Sequence, residues 1–330
     1  MSETNEDLSK FGIRAEDELV HPAPTDEPSW NESVFFDWYH SGTRAGHVRI
    51  GRMPNQHRVW LWVYVLHDGE WLVLEEPRLP IGELTGEFEY DRHGLAFSRT
   101  VVDPVRSNRL EVSGIGRIVS GPRSGRLVPF DLDLVVEAVG PAHSLGESSI
   151  ADHSTELFSS NRFEQPMRVR GHQKVGDVTL DIDGHGERDH SWGPRFWNME
   201  WFFLVAQRPS LRFQCARVVF DEDSFLTMGY LGDGTTVNVG DVEFDLRPDD
   251  ENVRKPYAGR VKFETEDGRT ISATIEALDG CEIDASHVFD PPQPSIYRRA
   301  VVRVVLDDGS EPLHGWLEIN RFPGGIVFPS

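Results

Sequence analysis

The feature that most constrains the fold of this chain is a repeated pattern of short strand-like segments separated by turn residues. In Arg58–His67 both alternating sets of side chains are apolar, so a strand here should be covered on both faces. Its continuation, His67-Asp-Gly-Glu70, has the sequence of a hairpin turn. Only residues 148–158 carry a weak helical pattern. Many short strands joined by tight turns predict an all-β sandwich or barrel.

The strand pattern is interrupted once, over residues 140–162, and the 330-residue length suits two β-domains better than one small barrel. We therefore predict four segments. The first of them, residues 1–29, is expected to be flexible and dispensable for folding, because it is acidic, rich in proline and without an apolar pattern. The segments are an N-terminal arm at 1–29, an N-terminal β-domain at 30–145, a linker at 146–162 and a C-terminal β-domain at 163–330.

Composition excludes several classes of partner. The chain has 55 acidic and 33 basic residues and a formal net charge of −22, which disfavours binding to nucleic acid and to anionic lipid. No stretch approaches the roughly 18 apolar residues of a membrane helix, and residues 1–17 do not have the pattern of a signal peptide. These features predict a cytoplasmic protein without a membrane span. The two cysteines, Cys215 and Cys281, are expected to be reduced, buried thiols.

One segment concentrates polar and aromatic side chains. Residues 184–197 contain two histidines, two carboxylates, two arginines and two tryptophans. In a strand, Glu187 and Asp189 would lie on one face, roughly 7 Å apart, and their like charges could raise the pKa of one of them. The strand would end at Gly193-Pro194. The predicted faces are His185, Glu187, Asp189 and Ser191 on one side, and Arg188, His190 and Trp192 on the other.

This segment also admits a structural interpretation and other kinds of site. Arg188 or Arg195 could hold the carboxylates in a purely structural ion-pair network. A metal site would need His185, Glu187 and His190, which face both ways on a strand, so we expect no metal. Gly184-x-Gly186 lacks the third glycine and the βαβ setting of a dinucleotide site, and neither a P-loop nor a G-x-S-x-G motif is present. The sequence therefore predicts no cofactor.

The pattern Gly-x-Gly-x-Arg-Asp-His-Ser-Trp-Gly-x-Arg, residues 184–195, resembles the signature of the hydroxyneurosporene synthase (carotenoid 1,2-hydratase-like) superfamily. Weaker similarity covers Glu32-Ser-Val-Phe-Phe36, Gly51-Arg-Met-Pro54 and Phe163-Glu-Gln165. The resemblance spans about residues 30–320 and is closest to bacterial two-domain members. It implies two tandem lipocalin-like (calycin) antiparallel β-barrels or half-barrels around a hydrophobic ligand site, and hydratase or cyclase activity on isoprenoid- or polyketide-like substrates.

The hypothesis that combines these observations is acid-catalysed hydration or cyclisation of an alkene without a cofactor. Asp189 or Glu187 would donate the proton, His190 would assist it, and Arg195 would hold the carboxylate or a polar end of the substrate. Aromatic faces would stabilise the cation. The alternative is a lipocalin-like protein that binds a lipophilic small molecule without converting it. The sequence does not predict the oligomeric state. The candidate substrate-binding residues are Trp192, Trp197, Trp201, Phe203, Trp60, Trp62 and Tyr230.

Overall fold

The computed structural model describes residues 6–144, 161–195, 197–221, 224–249, 251–288 and 295–322. These residues form an all-β protein with two compact units, and the described 3₁₀ helices have three or four residues each. The all-β prediction is confirmed. The weak helix pattern at 148–158 falls outside the described residues. No helix among the described residues is long and apolar enough to span a membrane. Within the described residues the 3₁₀ helices are Ala15–Glu18, Pro54–Gln56, Ile81–Glu83 and Ser286–Val288.

The first unit is one antiparallel sheet in the order β4-β3-β2-β1-β11-β10-β8-β7-β6-β5, with β9 paired to β10. A short additional pairing between β4 and β7 joins two strands that are far apart in this order. Its strands are β1 Trp30–Ser41, β2 Arg44–Met53, β3 Arg58–His67, β4 Glu70–Pro80, β5 Glu89–Arg92, β6 Leu95–Asp103, β7 Ser107–Ile118, β8 Leu127–Ala138, β9 His143–Ser144, β10 Asn161–Val175 and β11 Val178–Pro194.

Local sequence explains much of this sheet. The predicted hairpin between β3 and β4 is present, and both Asp68 and Gly69 have positive φ, as a two-residue turn of this kind requires. Every residue of β3 after Arg58 is buried, which confirms that the strand is covered on both faces. We call the side of the sheet that carries the large apolar cluster, including Val34, Phe36 and Val63, the inner face. The opposite side is the outer face.

The second unit is a closed antiparallel barrel of eight strands, β12 to β19 in sequence order. Its interior is filled by a separate apolar cluster, which includes Cys215. Cys215 and Cys281 are both buried thiols that form no disulfide, as predicted. The strands are β12 Glu200–Arg208, β13 Leu211–Val219, β14 Phe225–Gly232, β15 Thr236–Pro248, β16 Tyr257–Thr265, β17 Thr270–Glu282, β18 Ile296–Leu306 and β19 Leu313–Arg321.

The structure divides the chain differently from the sequence prediction, which places everything after residue 163 in the second domain. Strands β10 and β11 belong to the first unit, because residues 185–194 of β11 pair with β1, and β10 pairs with β8. The Gly184–Arg195 motif therefore lies in the first unit. An alternating pattern shows that a segment forms a strand, but it does not show which strands that segment pairs with. The sequence therefore did not predict that β10 and β11 join the first sheet.

The N-terminal arm also differs from the expectation of a flexible, dispensable segment. Ile13 is buried in a small apolar cluster with Trp30, Phe163 and Trp192. The carboxylate of Glu18 is fully buried and hydrogen-bonded to Arg188 and Arg99. The described part of the arm is therefore an ordered part of the first unit, and apolar and ionic contacts that its polar composition did not predict hold it there.

One buried network predicts a pH dependence of stability. Burial lowers the pKa of His67 to about 4, and the Gln173 amide, which accepts a hydrogen bond from Trp38, donates to Nδ1 of the His67 ring at 3.2 Å. The unfolded histidine has a pKa of about 6.5. As the pH falls from about 6.5 to 4, the unfolded chain takes up a proton that the folded protein does not, so His67 should reduce the free energy of unfolding by up to about 3 kcal/mol.

Urea unfolding at pH 7, 5.5 and 4.5 measures this effect. In His67→Gln the loss of stability between pH 7 and 4.5 should be smaller, whereas His93→Gln, at an exposed position, should keep the parent's dependence. Equal dependence in the parent and in His67→Gln would show that His67 is not a source of the effect.

Candidate active site

Strand β11 places the side chains of the motif on the two faces that the sequence predicts. His190 is opposite Val34 of β1 and Phe163 of β10, and Arg188 is opposite Phe36. Directly paired residues point to the same side of a sheet, and Val34 and Phe36 belong to the inner cluster. His190 and Arg188 therefore lie on the inner face. The alternation places Glu187 and Asp189 on the outer face.

On the inner face, one carboxylate binds two histidines. Oε1 of Glu32 lies 3.2 Å from Nε2 of His190 and 3.0 Å from Nδ1 of His21. The same oxygen accepts the backbone N–H of His21 at 3.0 Å, and Oε2 accepts Nη1 of Arg52 at 3.3 Å. Glu32 comes from β1, His190 from β11 and His21 from the arm. Three segments distant in sequence thus meet at a single carboxylate.

The electrostatics of this cluster assign protonation states. Burial opposes ionisation of Glu32, but hydrogen bonds from His190 and His21 outweigh it and lower the pKa of that carboxyl. Burial lowers the pKa of His190 to about 4, and the positive charge of Arg99 acts in the same direction. At neutral pH Glu32 is therefore charged and His190 is neutral. A neutral His190 that donates from Nε2 to Glu32 carries its lone pair on Nδ1.

Aromatic rings surround the imidazole of His190. The ring centroids of Trp192, Phe163 and Phe88 lie 5.1, 5.8 and 6.4 Å from that of His190. The ring of His21 stacks on Trp192 at 3.9 Å with an interplanar angle of 2°. His190 is fully buried, so its free nitrogen lies in an apolar, aromatic environment. This is an arrangement in which a base or acid acts with little competition from water.

The outer face holds the two carboxylates that the sequence hypothesis made the acids. Oδ2 of Asp189 accepts Nη2 of Arg162 at 2.8 Å, and Arg162 also binds Glu164. The backbone N–H of Glu187 donates to Asp37 at 2.7 Å. Asp189 and His190 point to opposite sides of the sheet, so His190 cannot orient or reprotonate Asp189 directly. The ion-pair interpretation considered in the sequence analysis fits Asp189, with Arg162 as its partner.

The predicted substrate-binding residues divide among three places. Trp192 lies on the inner face beside His190. Trp60 and Trp62 lie on the outer face, where the guanidinium of Arg49 is 5.0 and 5.1 Å from their rings. Arg195, which the sequence hypothesis placed among the catalytic residues, directly follows β11, and its backbone N–H donates to the carbonyl of Ser29 at 3.1 Å. The remaining predicted residues, Trp197, Trp201, Phe203 and Tyr230, belong to the second unit.

In the second unit these aromatic residues have their own partners. Nε1 of Trp201 donates to Oε1 of Glu318 at 2.7 Å, and its ring packs edge-on against Tyr297 at 5.2 Å. The other oxygen of Glu318 binds Arg299 at 2.9 Å. Tyr230 is fully buried on β14. These contacts identify Trp201 as a buried packing residue of the second unit.

The inner cluster also contains the residue types of a metal site. One ligand atom from each of His21, Glu32 and His190 lies within 4.8 Å of the other two. The set considered from sequence, His185, Glu187 and His190, is not brought together, because His190 is on the opposite face from the other two. In the new set the short N···O distances are those of hydrogen bonds from imidazole to carboxylate. Hydrogen bonding is sufficient to explain this geometry.

Sequence reasoning missed Glu32, His21 and Glu18. Glu32 shares a strand face with Val34 and Phe36, so an acid on an otherwise apolar strand face is the signal that could have identified it. His21 and Glu18 lie in the arm, where no periodicity distinguishes them from exposed polar residues. Their importance depends on contacts with β1 and β11 that only the fold provides.

These features define an all-β protein of two lipocalin-like units, with a buried carboxylate–imidazole pair among aromatic rings in the first unit. The chain belongs to a family described as a domain of unknown function, DUF7064, whose profile matches residues 14–323. No curated protein matches the sequence.

Two solved structures have a similar fold. One is a protein provisionally named AttH from Nitrosomonas europaea, with 15% identity and a TM-score of 0.60, covering 92% of this chain and 95% of the other. The second is kievitone hydratase from Nectria haematococca, with 12% identity and a TM-score of 0.54, covering 94% and 93%. At these identities the similarity establishes the fold alone.

Proposed function

We propose that this protein adds water to a carbon–carbon double bond of a hydrophobic small molecule of the isoprenoid or polyketide kind. The observation that carries the proposal is the buried Glu32–His190 pair, which is surrounded by the rings of Trp192, Phe163 and Phe88. The name of kievitone hydratase, which shares the fold, favours the same reaction class.

In the proposed mechanism His190 takes one proton from water and gives one proton to carbon. Nδ1 accepts a proton from water as the water oxygen forms a bond to one alkene carbon. The π electrons form the new C–H bond at the other carbon, and its proton comes from the imidazolium of His190. The ring returns to its neutral form, and the balance is alkene plus water to alcohol. Glu32 holds Nε2–H throughout and stabilises the transient imidazolium.

The aromatic rings have two roles in this proposal. They exclude bulk water, so the only water near the alkene is the one that reacts, and they hold the hydrophobic substrate against His190. Attack by a hydroxyl group of the substrate in place of water would give a cyclic product instead. The product therefore depends on substrate shape, while the proton-transfer groups stay the same.

The experiment begins with the ligand. Native mass spectrometry of the purified protein identifies any retained lipophilic molecule, and that molecule and related alkenes are then incubated with the protein in water enriched in ¹⁸O. A hydratase incorporates one labelled oxygen into the product. Binding without incorporation for every bound alkene would contradict the hydratase proposal and favour the alternative, a carrier of lipophilic molecules.

We predict that the reaction needs no metal, because the proposed proton transfer uses only Glu32 and His190. Elemental analysis of the purified protein should find no stoichiometric transition metal, and treatment with a chelator should leave turnover unchanged. A stoichiometric metal whose removal abolishes turnover would instead make His21, Glu32 and His190 its ligands, and the proton-transfer mechanism would be wrong.

A further inference from the structure

Two arginines on the inner face bind a carboxylate that does not come from a strand. Nη1 and Nη2 of Arg188 donate to the two oxygens of Glu18 at 2.6 and 2.8 Å. Arg99 binds Oε1 of the same carboxylate and donates to the Glu18 carbonyl at 3.2 Å. The backbone N–H of Val105 donates to Oε2 at 2.9 Å. The carboxylate is thus bound as a substrate anion would be, with a bidentate guanidinium at its centre.

The binding groups are held in position without Glu18. Oε1 of Gln165 accepts both Nε and Nη2 of Arg188, at 2.9 and 2.7 Å. The orientation of that amide is fixed in turn, because its nitrogen donates to the carbonyls of Val105 and Gly140 at 2.9 and 3.1 Å. Arg188 is therefore oriented by β10 and by two backbone carbonyls. Removal of the arm's carboxylate would leave this arrangement in place.

The backbone at Val105 directs its N–H toward the carboxylate. Val105 lies in the turn between β6 and β7, which the Arg106 N–H closes by donating to the Asp103 carbonyl at 3.0 Å, and it has φ of 61°, a conformation that a β-branched residue rarely adopts. In this conformation its N–H donates to the carboxylate.

Both arginines at the site are charged. Burial lowers the pKa of Arg188 and of Arg99 to about 9 each, so both remain cations at neutral pH. The two buried guanidinium groups share the carboxylate of Glu18, and the charges of Glu187 and Asp189 act to raise the pKa of Arg188. Buried cations without a matching anion are costly, so these arginines require an anion at this position.

We propose that Arg188, Arg99, Gln165 and the Val105 N–H form an internal carboxylate-binding site, and that Glu18 of the arm occupies it in place of a carboxylate ligand. The ring of Phe163 lies 5.0 Å from the Arg188 guanidinium and 5.8 Å from the His190 ring, so the carboxylate-binding site and the Glu32–His190 pair are both adjacent to Phe163. The substrate class rests on the proposed hydratase function. If that function is correct, the substrates are hydrophobic unsaturated carboxylic acids.

The test removes the carboxylate of the arm and supplies another. Glu18→Ala and the matched control Glu16→Ala, from the exposed side of the same turn, are compared in sodium acetate and sodium chloride of equal ionic strength. Acetate should raise the melting temperature of Glu18→Ala in a saturable manner, with a Kd of about 1–50 mM, and should have no such effect on the parent or on Glu16→Ala. Adding Arg188→Gln to Glu18→Ala should abolish the response.

If Glu18→Ala does not fold in chloride, the readout becomes the recovery of its far-ultraviolet circular dichroism spectrum on refolding in acetate. The proposal is overturned if acetate affects Glu18→Ala no more than Glu16→Ala, or if it neither stabilises nor refolds Glu18→Ala. It is also overturned if Arg188→Gln leaves the acetate response intact. All of these measurements use acetate alone and no turnover, so failure of the hydratase proposal would not alter them.

Octanoate and octanol extend the test to the ligand class. Octanoate should bind Glu18→Ala at least tenfold more tightly than it binds the parent, because in the parent it must displace Glu18. Octanol, which has the same chain without the charge, should bind both proteins equally. Equal binding of octanoate to the two proteins would show that octanoate does not compete with Glu18 for the site, and the proposal would be wrong.

Discussion

Replacement of Glu18 by alanine should lower the free energy of unfolding by about 3–5 kcal/mol in chloride buffer. The substitution leaves Arg188 and Arg99 buried without their shared carboxylate, and loss of one partner from a buried ion pair costs more than the pair contributes net. The total stability of a domain is about 5–15 kcal/mol, so the effect is large but compatible with folding. Urea unfolding of the full chain measures it.

Glu16→Ala is the matched control for this experiment, because Glu16 lies in the same 3₁₀ turn but is exposed and pairs with exposed Arg14. It should change stability by less than about 0.5 kcal/mol. Glu18→Gln separates charge from shape, since it keeps the side-chain length and removes the charge. A small effect of Glu18→Ala, similar to that of Glu16→Ala, would show that the arm is dispensable after all.

The contrast between β11 and the arm explains how much the sequence could predict. The faces of β11 followed from residue alternation, which is a local property, and the structure confirms that Glu187 and Asp189 lie opposite Arg188 and His190. The partners of these groups are not local. Glu32 is 158 positions from His190, and Glu18 is 170 positions from Arg188.

The same limit explains the domain boundary and the choice of acid. The strand pattern located β10 and β11 but could not show that they pair with β8 and β1, because hydrogen-bond partners leave no periodic signal in one sequence. The hypothesis for Asp189 relied on its position in the motif. A charged residue in an apolar strand face, such as Glu32 beside Val34, is the local signal that points to the inner face instead.

Replacement of His190 by glutamine should reduce turnover at least 100-fold, with little loss of ligand binding. Glutamine keeps a donor for Glu32 and nearly the same volume, but it has no nitrogen that can take up a proton at neutral pH. Glu32→Gln should also reduce turnover, because a neutral amide no longer stabilises the imidazolium. The measurement is single-turnover formation of ¹⁸O-labelled alcohol, with melting temperature and ligand affinity determined on the same samples.

Asp189→Asn distinguishes the two possible proton-transfer groups of β11. Asp189 lies on the outer face with Arg162 as its partner, so this variant should lose some stability and keep turnover within a few-fold of the parent. The sequence hypothesis instead expects a loss of about 100-fold or more in Asp189→Asn, or in Glu187→Gln if Glu187 is the acid. If either variant loses turnover in this way while His190→Gln keeps it, the chemistry belongs to the outer face of the sheet, and the Glu32–His190 pair is a buried structural hydrogen bond.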